Sequence, residues 1–165
     1  MLFGHHVLRR EQRLPGPPDA VFPFFADAGN LEAITPPWLS FHVVTPRPID
    51  MRAGALIEYR LTLHRLPISW LTRIEEWVPG ERFVDAQLQG PYKLWHHTHE
   101  FAPDGPGHTV MRDTVRYALP FAPLSEVAHR AVVARDLERI FDYRRDYLTV
   151  NFASMPAARW SPTGQ

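Results

Sequence analysis

The sequence predicts an α+β fold in which a curved antiparallel β-sheet wraps around one long C-terminal α-helix. Two observations carry this prediction. Between residues 41 and 119, apolar and polar residues alternate in short runs, and turn signals break the runs about every 12–15 residues. From residue 124 to 152 there is no glycine or proline, and the apolar residues recur at intervals of three and four. A sheet of that extent must bury one face, and the C-terminal helix is the only element long enough to cover it. A curved sheet gripping one helix leaves space between the two, and such space is where small ligands bind.

The elements follow in order. Residues 3–13, centred on Val7 and Leu8, read as a first strand that Pro15, Pro17 and Pro18 end. Asp19 is placed to cap a helix whose apolar face carries Val21, Phe22, Phe25 and Ala26. Asn30 is placed to cap a second short helix over 31–34, stopped by Pro36 and Pro37. Strands are then expected over 41–44, 55–63, 68–77, 82–88, 92–101 and 109–119. The turns between the last five fall at Leu66-Pro67, at 78–80, at 89–91 and at 104–107. The closing helix spans 124–152, with Leu124, Val127, Ala128, Ala131, Val133, Leu137, Ile140, Phe141, Arg144 and Leu148 on its inner stripe. Residues 1–152 form one domain in this reading, and 153–165 a flexible tail.

Composition narrows the function. A chain of 165 residues buries enough surface for a core without staples. It has no cysteine, which excludes disulfides, thiolate metal sites and a cysteine nucleophile. Eighteen basic and eighteen acidic residues cancel, so no electrostatic footprint for nucleic acid exists. No apolar run is long enough to span a membrane, and MLFGHHVLRREQRLP lacks the apolar core of a signal peptide. These features imply a cytoplasmic protein, monomeric or weakly dimeric. No G-x-S-x-G, G-x-G-x-x-G or G-x-x-x-x-G-K string is present, which disfavours serine hydrolysis and nucleotide binding.

The two-residue period of a strand assigns side chains to faces. Starting from Ile57, Tyr59, Leu61 and Leu63 as inward, the hairpins pair Leu61 with Trp70, Ile74 with Phe83, Asp85 with Trp95, and His97 with Asp113. The inner face then carries Tyr59, Trp70, Thr72, Asp85, Gln87, Trp95, His97, His99, Asp113 and Tyr117. Phe141 and Arg144 face them from the helix. Trp77, Leu71 and Leu88 fall on the outer face, and Trp77 is a misfit there. Two carboxylates and two imidazoles on one inner face are costly in a dry core and suit a wet or ligand-filled cavity.

Three chemistries deserve weighing. His97 and Asp113 form a candidate acid–base pair, the carboxylate holding the imidazole tautomer. No nucleophile accompanies them, which favours a hydrogen bond bracing the sheet. His97 and His99 with Asp85 or Asp113 have the composition of a two-histidine, one-carboxylate metal site. The string HHTH is short, and no metal or other cofactor is expected. Trp38, Trp70 and Trp95 could stack a flat ligand or simply line the core, and Arg144 could hold an anionic ligand, pair with Asp113 or Asp85, or extend to water at the rim. His96 is expected to face solvent, and His5 and His6 to be ordinary residues of the first strand.

Five strings resemble the SRPBCC superfamily, which includes START domains, birch-pollen-allergen-like proteins and polyketide cyclases. They are VFPFFADAGNLEAITPPWLSF (21–41), RIEEWVPGERFVD (73–85), GPYKLWHHTHEF (90–101), MRDTVRYALPFAPL (111–124) and DLERIFDYRRDYL (136–148). The chain is most similar to bacterial ligand-binding members of the polyketide cyclase/dehydrase type. The resemblance implies the helix-grip fold and a small hydrophobic ligand, lipid- or polyketide-like, held by a carrier or sensor. It transfers no catalytic residue. A cyclase or dehydratase using His97 and Asp113 stays open, as does an accessory domain with a vestigial cavity. A cavity below about 200 Å³ would favour the last, since ligand pockets usually hold about 300–1,000 Å³.

Overall fold

The computed structural model describes residues 4–121, 127 and 132–153. Strand β1 (His5–Pro15) leads into helix α1 (Pro18–Ala26) and two 3₁₀ turns, Ala28–Leu31 and Pro37–Leu39. Six strands follow: β2 (His42–Val43), β3 (Leu56–Leu63), β4 (Leu66–Val78), β5 (Arg82–Gln89), β6 (Leu94–Pro103) and β7 (His108–Ala118). Helix α2 (Ala134–Ala153) comes last. The strands form one antiparallel sheet in the order β1-β7-β6-β5-β4-β3-β2. This is the helix-grip architecture.

The local chemistry explains several departures from expectation. Pro17 occupies the position before α1, and no side chain caps that helix; Asp19 sits in its first turn, where a negative charge suits the helix dipole. The second short helix starts earlier than expected. Asp27 accepts from Gly29 N at 2.8 Å and caps it, while Asn30 donates to the Phe24 carbonyl at 2.9 Å. The β3–β4 turn is made by His64 and Arg65, both at positive φ (48° and 69°), rather than by Leu66-Pro67. Two left-handed residues in succession make the tight hairpin turn whose twist matches the strands.

All four predicted hairpins keep their parity, and all four slide by two residues. Leu61 pairs with Ile68, Ile74 with Asp85, Asp85 with His97, and His97 with Val115. In three of the hairpins the turn centre lies one residue from the place its turn signal suggests, which displaces the pairing by two and leaves the faces unchanged; in β4–β5 a shifted turn and a bulge together give the same displacement at Ile74. Trp77 is resolved by a β-bulge. Between Ile74 and Glu76 the strand β4 carries one residue more than β5, so Trp77 pairs with Phe83 and turns inward. Its ring lies 5.3 Å from Phe22 in an edge contact. Leu88 is exposed on the outer face, as expected.

The core lies between the sheet and the helices in three clusters. One centres on Phe22, Phe25, Phe83, Phe101, Leu148 and Phe152. A second joins Val115 and Tyr117 to Leu137 and Phe141 of α2. The third gathers Ala28, Ile57, Tyr59 and Ile74. Gln12 of β1 donates to the Arg145 carbonyl at 3.0 Å and helps hold α2 on the sheet. The expected helix over 124–152 is described as α2, preceded by a π-helical turn at 132 and 133; Val127 is helical but 74% exposed, not on the inner stripe. Leu124, Ala128, Ala131 and the expected tail from residue 154 onward lie outside the described residues.

Phe141 is 4% exposed and carries the contact of α2 with the second cluster. Phe141→Ala is expected to lower unfolding stability by about 3–5 kcal/mol. Chemical denaturation checks this, and a loss below about 1 kcal/mol would mean that the side chain is not part of the core.

Candidate functional site

A cavity of about 180 Å³ lies between the sheet and α2, and its lining draws on all three core clusters. Much of its wall is apolar: Phe25 and Ile34 from the first helical segment, Ile57, Leu61 and Trp70 from the sheet, and Leu137, Ile140 and Phe141 from α2. The polar groups are Thr35, Tyr59, Thr72, Asp85, His97, His99 and Arg144. Strands β5 and β6 place Asp85 directly opposite His97, and β6 and β7 place His99 opposite Asp113. Two-residue alternation then puts all four side chains on the inner face.

These four form one network, in which His97, His99 and Asp113 are buried and Asp85 is half-buried. His97 Nε2 lies 2.8 Å from Asp113 Oδ1, and His99 Nε2 lies 2.9 Å from Asp85 Oδ2. His99 Nδ1 approaches Asp113 Oδ1 at 2.9 Å without hydrogen-bond geometry. His97 Nδ1 stands 3.8 Å from Asp85 Oδ2. The two imidazoles lie side by side, 3.7 Å between centroids. Phe83 stacks on His99 at 4.1 Å, and Phe141 meets His97 edge-on at 5.7 Å.

Burial opposes charge on every member, and their contacts decide which members carry it. Burial would raise Asp113, but the bond from His97 and the close approach of both imidazoles outweigh it and hold its carboxyl far below the usual carboxylate range. Asp85 is likewise held low despite burial, by its bond to His99 and by the charges of His97, His99 and Arg144. Burial, helped by the charge of His99, lowers His97. Burial would lower His99 too, but its two carboxylate neighbours win and raise it. His97 Nε2 faces Asp113 Oδ1, and its Nδ1 makes no hydrogen bond among the described residues, the Asp85 carboxylate standing 3.8 Å away. Burial first, then the charge of Asp85, pushes the Tyr59 hydroxyl up, so it stays a neutral donor.

The polyketide cyclase / dehydrase and lipid transport family model matches residues 5–149. The chain belongs to that family. No match is found among curated proteins. Among solved structures, the aromatase/cyclase Zhui from a Streptomyces species aligns with a TM-score of 0.73 at 13% identity, over 93% of this chain and 98% of its own. A Thermus thermophilus protein aligns with a TM-score of 0.66 at 20% identity, over 91% of this chain and 100% of its own. Norcoclaurine synthase from Thalictrum flavum aligns with a TM-score of 0.64 at 10% identity, over 92% of this chain and 89% of its own. At these identities the likeness to the three structures shows the fold alone. Among the described residues no helix is long and apolar enough to cross a membrane.

Within this family member, nine of the twelve expected site residues line the cavity: Tyr59, Trp70, Thr72, Asp85, Trp95, His97, His99, Phe141 and Arg144. Three do not. Gln87 donates from Nε2 to the Tyr92 carbonyl at 2.7 Å and braces the β5–β6 turn. Asp113 lies behind the imidazoles, and Tyr117 packs in the second core cluster. Trp38 is 44% exposed, with the Arg139 guanidinium 5.1 Å from its ring, and does not reach the cavity. His96 sits on the outer face beside Glu75, Glu76 and Arg82. Tyr92, Ile34 and Leu39 line the cavity but were not expected there. They come from loops and short turns, where no two-residue period marks a face.

The His97–Asp113 contact is expected to be strongly coupled. Asp113→Ala leaves the His97 N–H buried without its acceptor, and a loss of about 1–3 kcal/mol in unfolding stability is expected. A double-mutant cycle with His97→Ala should give a coupling of about 0.5–3 kcal/mol. Coupling near zero in denaturation experiments would show that the two side chains do not interact.

Proposed function

We propose that this protein binds a small, largely apolar molecule, lipid- or polyketide-like, between the sheet and α2 as a carrier or sensor. The supporting observation is the lining: a largely apolar wall with a few interacting polar groups, the make-up of a small-molecule site. Arg144 brings two buried donor atoms, Nε and Nη1, which have no acceptor among the described residues. With the neutral Tyr59 hydroxyl, they suit a carbonyl or hydroxyl oxygen on the ligand. Volume limits the size. About 180 Å³ exceeds the ~150 Å³ apolar cavity that holds benzene, so one aromatic ring fills the space.

The same volume favours a second reading, in which an accessory domain binds a partner and its cavity is vestigial, because about 180 Å³ falls under the 200 Å³ boundary. The free Nδ1 of His97 supports a third, a cyclase or dehydratase in which His97 and Asp113 move protons at a poly-carbonyl ligand. Native mass spectrometry of the purified protein, with extraction of what it holds, separates the three. In the carrier reading one small apolar molecule accompanies each chain, and His97→Ala changes its affinity while leaving the protein folded. In the enzyme reading the molecule is turned over, and His97→Ala abolishes turnover while binding persists. An empty protein that also takes up no phenol, naphthol or short polyketone in calorimetry overturns both, and the vestigial cavity stands.

A further inference from the structure

Asp85, His97 and His99 present three donor atoms toward one point on the cavity wall. These are Asp85 Oδ2, His97 Nδ1 and His99 Nε2, and one atom from each residue lies within 4.8 Å of the others. Asp85 Oδ2 is 2.9 Å from His99 Nε2 and 3.8 Å from His97 Nδ1. Two ligands bonded at about 2.0–2.2 Å to one metal stand roughly 2.8–4.2 Å apart, so both separations fit and only a small closure is needed. All three residues sit on strands β5 and β6 in the middle of the sheet, where the backbone fixes them.

The other side of the imidazoles carries the second observation. Asp113 Oδ1 lies 2.8 Å from His97 Nε2 and 2.9 Å from His99 Nδ1. One buried carboxylate oxygen therefore stands behind both rings, hydrogen-bonded to His97 and in contact with His99 without hydrogen-bond geometry. A metal-bound histidine almost always gives its remaining N–H to a carboxylate or carbonyl, which fixes the tautomer and raises ligand basicity. The three donor residues line the cavity, whereas Asp113 does not. The cavity also provides the entry path.

We propose that Asp85, His97 and His99 bind one divalent first-row transition metal ion, with Asp113 orienting the His97 imidazole and the open coordination positions facing the cavity. Two imidazoles and a carboxylate on one side suit zinc, iron or cobalt, and exclude magnesium and calcium, which require oxygen ligands. This departs from the expectation of no metal, which rests on the weak HHTH signal and on the resembling family offering no metal centre; nothing in the string places Asp85 and Asp113 on either side of the rings. It stands independently of the proposed carrier function. Arg144, whose charge reaches Asp85, opposes cation binding there.

The test uses the full chain stripped with a chelator and titrated with cobalt(II), followed by visible absorption, with zinc(II) as competitor. One equivalent of cobalt with ligand-field bands, displaced by one equivalent of zinc, is expected. His97→Gln and His99→Gln should each abolish that spectrum, while Asp113→Asn should keep the stoichiometry and weaken affinity about 10–100-fold. Should those variants not fold, proton NMR of the wild-type cobalt form decides. A strongly shifted, slowly exchanging imidazole N–H signal from His97 is expected, because Asp113 accepts its hydrogen bond. Absence of that signal, no cobalt uptake by the wild type, or uptake unchanged in both histidine variants overturns the site; the last result would place the metal on surface histidines.

Discussion

The inner face of this protein depends on one constraint, the two-residue period of a strand carried through consecutive hairpins. A slip of one residue in any of them would send a whole strand's apolar side chains to solvent. The β4–β5 pairing breaks the period twice, at Leu71/Thr72 and at Ile74/Glu76, and the second break has a structural role. The bulge between Ile74 and Glu76 adds the residue needed to bring Trp77 back to the core, against Phe22 and Phe83. With that correction, β5 and β6 deliver Asp85, His97 and His99 to the same side, and β7 delivers Asp113 behind them.

The network that results is unusual for a sheet interior. A buried charge group is weak evidence for stability, since well-packed apolar residues of the same volume often do as well or better. What the network offers is a rigid polar wall. Each imidazole is packed against a ring or a neighbour, each carboxylate is held ionised, and His97 keeps a free nitrogen. Such preorganisation is what a binding or reacting group needs, because no reorientation remains to be done when a ligand arrives.

Family membership and site geometry answer different questions. The helix-grip fold hosts carriers and enzymes alike, so architecture alone does not select between them. The cavity between sheet and helix measures about 180 Å³, and its polar side is made by Asp85, His97, His99 and Arg144.

The order of elements, the inward set of the sheet and the polar character of its interior were legible in the sequence, because period two and period 3.6 are local properties that side chains impose on their own segment. Tyr59, Asp85, His97 and Phe141 could be placed on one surface by that reasoning alone. The rest required the folded chain. Turn signals locate a hairpin only to within a residue, so the true pairing of His97 with Val115 and of His99 with Asp113 was out of reach. The bulge that rescues Trp77 leaves no composition mark. Cavity residues from loops, such as Tyr92 and Leu39, carry no period to read. Above all, the placement of Asp113 behind two imidazoles and Asp85 in front of them arises from the contact of three strands. Only tertiary structure decides it, because distances between side chains far apart in sequence are set by the packing of the whole sheet and not by any one segment.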